Sequence, residues 1–261
     1  MIIDYHIHTA FSSDAEGTMQ EYIAVAKEKK IGEIGFSDHI LLKHLYDRSD
    51  SLVREMPTYV DEFMGLKEKS EIPIKLGIEI DFFRDKVGEI RKFIQKYTFD
   101  YVIGSVHVID GWIIDDPSTN QEYSKRNLSQ VYDDYFRLVR DLCDQRLFDI
   151  LGHPDLIKIF GFRPDNDLTE VYEETAEALA RAEICAEINP KGLIRPCREI
   201  YPNLQFLKAL HAHNVPVTLG SDAHTPKDLG LNLDEAVRFA RKAGYNRICT
   251  FSHRHKAFVE L

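Results

Sequence analysis

The sequence predicts an α/β protein, a parallel (β/α) barrel of about seven strands, on three observations. Seven short runs rich in Ile, Val, Tyr and Phe alternate with seven longer amphipathic runs. Parallel neighbours in a sheet require a crossover, usually a helix, so this alternation builds a parallel sheet. The short runs are apolar almost throughout, as strands covered on both faces should be. A doubly wound open sheet is the alternative arrangement of the same units. No low-complexity linker divides the 261 residues. Residues 1–261 are therefore expected to form one domain, of a length that suits an α/β barrel.

The elements follow in order. Residues 2–9 (IIDYHIHT) are the first strand, and a helix follows over 18–30. Residues 33–39 (EIGFSDH) are the second, with a helix over 57–70 that carries Pro57 in its first turn. Strand 74–81 (IKLGIEID) precedes helix 85–97, and strand 100–109 (DYVIGSVHVI) precedes helix 129–146. Strand 148–154 (FDILGHP) leads to helix 169–182, where Asp167 is placed to cap the start. Strands 184–189 (ICAEIN) and 216–224 (PVTLGSDAH) are followed by helices 202–213 and 226–243, and a brief apolar run, 248–251, comes last.

Composition excludes several classes. An apolar fraction of 44% removes intrinsic disorder. No apolar stretch is long enough to span a membrane. MIIDYHIHTAF has an acid at Asp4 and no basic lead-in, so it does not read as a signal peptide, and a cytoplasmic location is expected. The four cysteines (Cys143, Cys185, Cys197, Cys249) form no C-x-x-C pair and read as buried thiols. A net charge of −10 argues against nucleic-acid binding, which needs a basic footprint. It leaves room for a small anionic substrate, because a bound metal inverts the local field. Oligomeric state is left open.

The chemistry lies at the strand ends. They carry H-x-H (His6, His8), S-D-H (Asp38, His39), E-x-D (Glu79, Asp81), S-V-H (His107), G-H-P-D (His153, Asp155), E-I-N (Glu187, Asn189) and S-D-A-H (Asp222, His224). Seven four-residue windows there cover 28 of the 261 residues yet hold six of the eleven histidines. In a barrel these ends converge on one mouth, where catalytic groups belong. Residues i and i+2 of a strand point to one face, roughly 6.6 Å apart, so His6 with His8, and Asp222 with His224, can reach a common ion. Imidazole and carboxylate donors without a thiolate suit Zn²⁺, Mn²⁺ or Fe²⁺. The number of donors points to two or three ions bridged by a carboxylate. Burying so many imidazoles and acids without partners would be costly. Asp38 and Asp155 are either orienters of neighbouring imidazoles or loop caps, and Asp4 and Glu187 have equally plain structural roles open to them. His211 and His213 read as helix-end residues, His44 as part of a polar loop, His253 and His255 as a solvated basic tail, and Tyr132–Asp133–Asp134 as an exposed helix face.

H-I-H-T, F-S-D-H-I, G-I-E-I-D, G-S-V-H, G-H-P-D and G-S-D-A-H, in that order, resemble the polymerase-and-histidinol-phosphatase (PHP) superfamily, over residues 2 to about 240. G-S-V-H-V-I-D-G-W, G-H-P-D-L-I-K-I-F-G-F-R-P and N-P-K-G-L-I-R-P-C-R-E-I-Y-P are similar to its monofunctional histidinol-phosphate phosphatases. The resemblance implies a distorted (β/α)7 TIM-like barrel with three divalent ions. Carried over by motif, His6, His8, Glu79 and Asp222 hold the first; Glu79 bridges to a second on His107 and His153; His39 and His224 hold the third with Asp14 of the first loop. It implies hydrolysis of L-histidinol phosphate to L-histidinol and phosphate, a step of histidine biosynthesis, with metal-activated hydroxide attacking phosphorus. Glu79, Asp222 and His224 are then the catalytic group, and either Asp222 or a metal-bound water supplies the proton to the leaving oxygen. Arg163 and Arg195 are the expected phosphate contacts, and Asp81 a candidate for the cationic end of the substrate. Two departures stand out: Pro190 and Lys191 follow Asn189, where the family often has small polar residues, and Ile194 stands where a basic residue is usual, with Arg195 next. A PHP phosphoesterase for another small phosphate ester or nucleotide is the nearer alternative, and a non-catalytic metal-binding module the distant one.

Overall fold

A computed structural model describes residues 1–40 and 51–261. His44 lies outside the described residues. In chain order the elements are β1 (Ile3–Asp4), α1 (Met19–Glu28), β2 (Glu33–Phe36), β3 (His39–Ile40), α2 (Ser51–Lys67), β4 (Ile74–Asp81), α3 (Val87–Ile94), β5 (Tyr101–Ser105), β6 (Val108–Ile109), β7 (Trp112–Ile113), α4 (Gln121–Lys125), α5 (Leu128–Gln145), β8 (Ile150–Leu151), α6 (Thr169–Ala182), β9 (Cys185–Ile188), α7 (Leu204–Ala212), β10 (Val217–Leu219), α8 (Leu233–Ala243), β11 (Arg247–Ser252) and β12 (His255–Glu260).

Seven strands run parallel in the order β1-β2-β4-β5-β8-β9-β10, and β3 adds to β4 beyond the end of β2. The ring closes through Tyr5 N–H to the Leu219 carbonyl at 3.0 Å and His8 N–H to the Ala223 carbonyl at 2.9 Å. This is a distorted (β/α)7 TIM-like barrel, as expected, and the open-sheet alternative is excluded by the closure. Tyr101 fills the lower interior. Its ring lies where a Cβ on Gly35 or Gly77 would stand, and its hydroxyl donates to the carbonyls of Tyr5 (2.8 Å) and Phe36 (3.2 Å). Tyr5 stacks on it at 5.0 Å, and Phe251 closes the layer at 6.1 Å from Tyr101.

Several boundaries differ from the sequence reading, each for a local reason. Pro57 lies inside α2 and not in a first turn, because the helix already runs from Ser51. The strand expected at 100–109 breaks after Ser105, and residues 108–113 fold into a hairpin turning on Asp110 and Gly111, both at positive φ. Asp-Gly is the pair that such a two-residue turn favours. Helix α8 starts at Leu233, not 226, because Gly230 and Asn232 take positive φ just before it. Asp167 accepts from the Thr169 N–H at 2.9 Å, so it serves the start of α6 as expected. Tyr132 is no part of an exposed face: it is buried, and its hydroxyl donates to the Phe162 carbonyl at 2.6 Å. Cys143, Cys185 and Cys249 are buried free thiols, while Cys197 is half-buried. No described helix is long and apolar enough to cross a membrane.

The expected basic tail is instead the antiparallel hairpin β11–β12, with His253 and Arg254 at its turn. The turn is tied to the barrel floor. Arg254 meets Asp149 through two contacts, 2.7 and 3.2 Å, and donates to the Leu147 carbonyl at 2.6 Å, while its N–H donates to the Asp100 carbonyl at 2.8 Å. Hydrogen bonds to charged groups contribute roughly 1.5–3 kcal/mol, so Arg254→Ala is expected to lower unfolding stability by about 2 kcal/mol. A urea midpoint equal to that of the wild type would show that the hairpin is only draped on the barrel.

Candidate metal centre

The strand-end residues converge on the carboxyl-terminal mouth, around Glu79. This residue lies two positions before the end of β4, the longest described strand, and is paired in register with His39 on one side and Ile103 on the other. Its Oε1 accepts from Ser105 Oγ at 2.5 Å and lies 3.0 Å from His153 Nε2 and 3.8 Å from His107 Nε2. Its Oε2 lies 2.9 Å from His39 Nδ1, 3.2 Å from His6 Nε2 and 3.5 Å from His8 Nε2. One carboxylate, 1% exposed, thus faces five imidazoles.

The outer partners set the tautomers. Glu187 Oε1 accepts from His6 Nδ1 at 2.6 Å, and Asp81 Oδ1 from His107 Nδ1 at 2.5 Å. A carboxylate can only accept, so each ring proton sits on Nδ1 and the Nε2 lone pair is turned inward, the arrangement in which imidazole ligates metal. Glu187 also accepts from the His153 N–H at 2.6 Å. Gly220 is required here, since a Cβ would run into the Glu187 carboxylate and His6 Cβ. His153 and Asp222 hold positive φ values of 24° and 53°, strained for residues with a side chain and frequent at functional sites.

The remaining donors complete the mouth. Asp222 Oδ1 is 3.6 Å from His8 Nε2, and Asp14 Oδ2 is 3.8 Å from both His39 Nε2 and His224 Nε2. His107 Nε2 and His153 Nε2 face each other at 3.2 Å. Burial opposes charge on His39, yet the Glu79 carboxylate overcomes it and lifts this imidazole to about 9. Burial and the neighbouring imidazoles hold His8 well below its ordinary value, and burial together with Lys191 takes His224 down to about 4. Despite burial, Lys191 and the surrounding histidines keep Asp222 well below the usual carboxylate range.

The residues fit divalent metal. His6 Nε2, both nitrogens of His8, His39 Nδ1, His153 Nδ1 and Glu79 Oε2 are buried without a hydrogen-bond partner among the described residues. Orphaned buried donors of this kind are costly unless an ion takes them. Three overlapping sets have ligand atoms within 4.8 Å of one another: His6–His8–Asp222, His6–Glu79–His153 and His8–His39–His224.

All nine expected ligands therefore meet in one place, but the expected substrate contacts divide. Arg195 lines the cavity over the centre, about 80 Å³ in volume. Asp81 orients His107 through Oδ1, its Oδ2 is buried without a partner among the described residues, and it does not line the cavity. Arg163 does not enter that cavity: its guanidinium donates to the carbonyls of Lys158 (3.1 Å) and Phe162 (3.2 Å), pairs with Glu199 at 3.0 Å, and borders a neighbouring cleft. Asp38 accepts from Thr9 and Ser12 and pins the first loop, Asp155 pairs with Lys158 at 2.8 Å and accepts from the Asn203 N–H, and Asp4 accepts from Ser221 and Gly230.

Asp115 was missed by the sequence reading. The β6–β7 hairpin folds the chain back until the Ile114 N–H donates to the His107 carbonyl at 2.9 Å, which sets Asp115 over the cavity with Oδ1 buried and unpartnered among the described residues. Only the Asp-Gly turn signalled it. Lys191, a departure from the family pattern without an assigned role, also lines the cavity, with Nζ 3.0 Å from Asp222 Oδ1 and 2.9 Å from His224 Nδ1.

The comparisons agree with this architecture. The PHP domain model matches residues 4–191. A probable histidinol-phosphatase of Deinococcus radiodurans is 31% identical over 256 residues, covering 97% of each chain. The histidinol-phosphatase of Lactococcus lactis is 27% identical, covering 96% of this chain and 94% of its own. The crystal structure of a Lactococcus lactis histidinol phosphate phosphatase, complexed with zinc, L-histidinol and phosphate, superposes with a TM-score of 0.86 over 98% of both chains at 28% identity. A family match across most of the sequence, and a relative this similar along nearly its whole length, place the chain in the PHP domain family.

Proposed function

We propose that the protein is a metal-dependent phosphomonoesterase that hydrolyses L-histidinol phosphate to L-histidinol and phosphate. The observation that carries the proposal is the set of imidazoles gathered on Glu79, with inward lone pairs beneath a small cavity bearing Lys191 and Arg195 as cations and Asp115 as an anion. The named activities of the relatives and the contents of the Lactococcus lactis crystal support the choice of substrate.

His6, His8, Glu79 and Asp222 would hold one divalent ion, Glu79, His107 and His153 a second, and Asp14, His39 and His224 a third, as Zn²⁺, Mn²⁺ or Fe²⁺. Such ions neutralise phosphate charge and lower the pKa of water to near neutrality. The chain's own groups do the rest. Arg195 is positioned to take a phosphate oxygen. Asp115 offers its free oxygen to the ammonium or imidazole of the substrate; burial raises its pKa, and a cation beside it favours the ionised form. Glu79, held by Ser105, keeps the imidazoles in register, and the Asp222 carboxylate lies at the edge of the cavity, where it can assist the leaving oxygen. In the reaction a water oxygen bonds to phosphorus, the bond to the alkoxide breaks, and the alkoxide takes up a proton.

Three outcomes are expected. Metal-free protein releases no phosphate from L-histidinol phosphate and regains activity with Mn²⁺, while His8→Ala loses bound metal and turnover together with its circular dichroism unchanged; full turnover after chelation would refute the scheme. Asp115→Asn raises KM for L-histidinol phosphate by about tenfold, equivalent to about 1.4 kcal/mol, and leaves KM for p-nitrophenyl phosphate, which carries no cation, unaltered; equal effects on both esters would remove Asp115 from substrate recognition. Arg195→Ala raises KM for both esters by more than Arg163→Ala does, and the reverse order in steady-state assays would return the phosphate contact to Arg163.

A further inference from the structure

Lys191 is built into its place. The Asn189 side chain accepts from its N–H at 3.0 Å, capping the short 3-10 turn Pro190–Ile194, and the lysine side chain is 14% exposed. Its Nζ reaches the Asp222 carbonyl, Asp222 Oδ1 at 3.0 Å and His224 Nδ1 at 2.9 Å. The same His224 Nδ1 lies 3.0 Å from the Asp222 carbonyl oxygen. This nitrogen therefore faces one donor and one acceptor, and it satisfies only one at a time.

The two choices have opposite consequences. An ammonium group can only donate. When Nδ1 accepts from Lys191, the neutral ring carries its proton on Nε2, and Nε2 has no lone pair for an ion. When Nδ1 carries the proton and donates to the Asp222 carbonyl, Nε2 is open toward Asp14, 3.8 Å away. Charge works in the same direction, since a fixed ammonium 2.9 Å from one ring nitrogen repels a cation at the other.

Building on the metal-centre reading above, we infer that Lys191 is a positioning residue that controls the third metal position, Asp14–His39–His224. Its ammonium and a divalent ion compete for His224, so that ion is held more weakly than the ions gathered on Glu79. The centre fills in two stages, a tight pair first and a third ion that must displace Lys191 from the ring.

The test is to titrate metal-free wild type and Lys191→Met with Mn²⁺ alone in equilibrium dialysis, counting metal per chain by mass spectrometry. Wild type is expected to take two tight equivalents and a third at about tenfold or more higher free Mn²⁺, because a hydrogen bond to a charged group is worth roughly 1.5–3 kcal/mol. Lys191→Met is expected to tighten the third by about the same factor and to move the first two, one of which shares Asp222 with Lys191, by less. Asp14→Asn should remove the third equivalent from both. Nitrogen-15 spectra of the metal-free proteins should move the His224 proton from Nε2 to Nδ1 in the variant, a change that a merely structural lysine would not produce. Lys191→Ser serves if Lys191→Met fails to fold. Three equally tight ions in wild type, or a third affinity insensitive to both substitutions, would overturn the inference and leave the metal centre standing. A wild-type chain that takes up no Mn²⁺ would overturn the metal-centre reading and this inference with it.

Discussion

Glu79 is a carboxylate buried near the end of a strand with neighbours on both sides, and the mouth of the barrel is organised around its charge. A buried anion without compensation is expensive, and here the compensation comes from imidazoles delivered by β3 and by the chain just beyond β1, β5 and β8. The compensation is incomplete in protein alone. Nitrogens at 2.9–3.5 Å from a single oxygen cannot all donate to it, and several have no other partner. Divalent ions would satisfy in one stroke the carboxylate, the orphaned lone pairs and the facing His107–His153 pair.

That arrangement survives only because the surrounding backbone is unusually constrained. His153 and Asp222 hold left-handed conformations, Glu187 bonds at once to the His6 ring and the His153 backbone, and Gly220 leaves the gap into which Glu187 fits. The floor of the barrel is the stabilising counterpart. Tyr101, Tyr5 and Phe251 fill it, and the Arg254 turn clamps the final hairpin beneath. Two residues of the donor set thus carry backbone strain that their neighbours hold in place, and apolar packing lies below them.

The cavity above the centre is asymmetric in charge. Arg195 and Lys191 bring positive charge to its lining, and Asp115 brings a carboxylate whose Oδ1 is buried and unpartnered among the described residues. Lys191 belongs to both the cavity and the donor set, because its turn is fixed by Asn189 two residues earlier and its ammonium reaches past the rim to His224.

The amino-acid sequence by itself determined the βα rhythm and the parallel barrel, and it set the imidazoles and acids of H-x-H, G-S-V-H and S-D-A-H near strand ends, because strand patterning is local; Asp14, in the first loop, was named only through the family resemblance. It did not determine which acids stay in the cavity. Asp81 and Asp115 look alike in the sequence, but the first is taken by His107, and the second is carried over the mouth by a hairpin that turns on Asp110 and Gly111. Nor could it tell that Arg163 turns to Glu199, or that the basic segment around His253 and His255 folds under the barrel to reach Asp149. Those outcomes rest on contacts between residues dozens of positions apart, where competing partners decide the orientation of a flexible side chain, and only the closed tertiary structure supplies the partners.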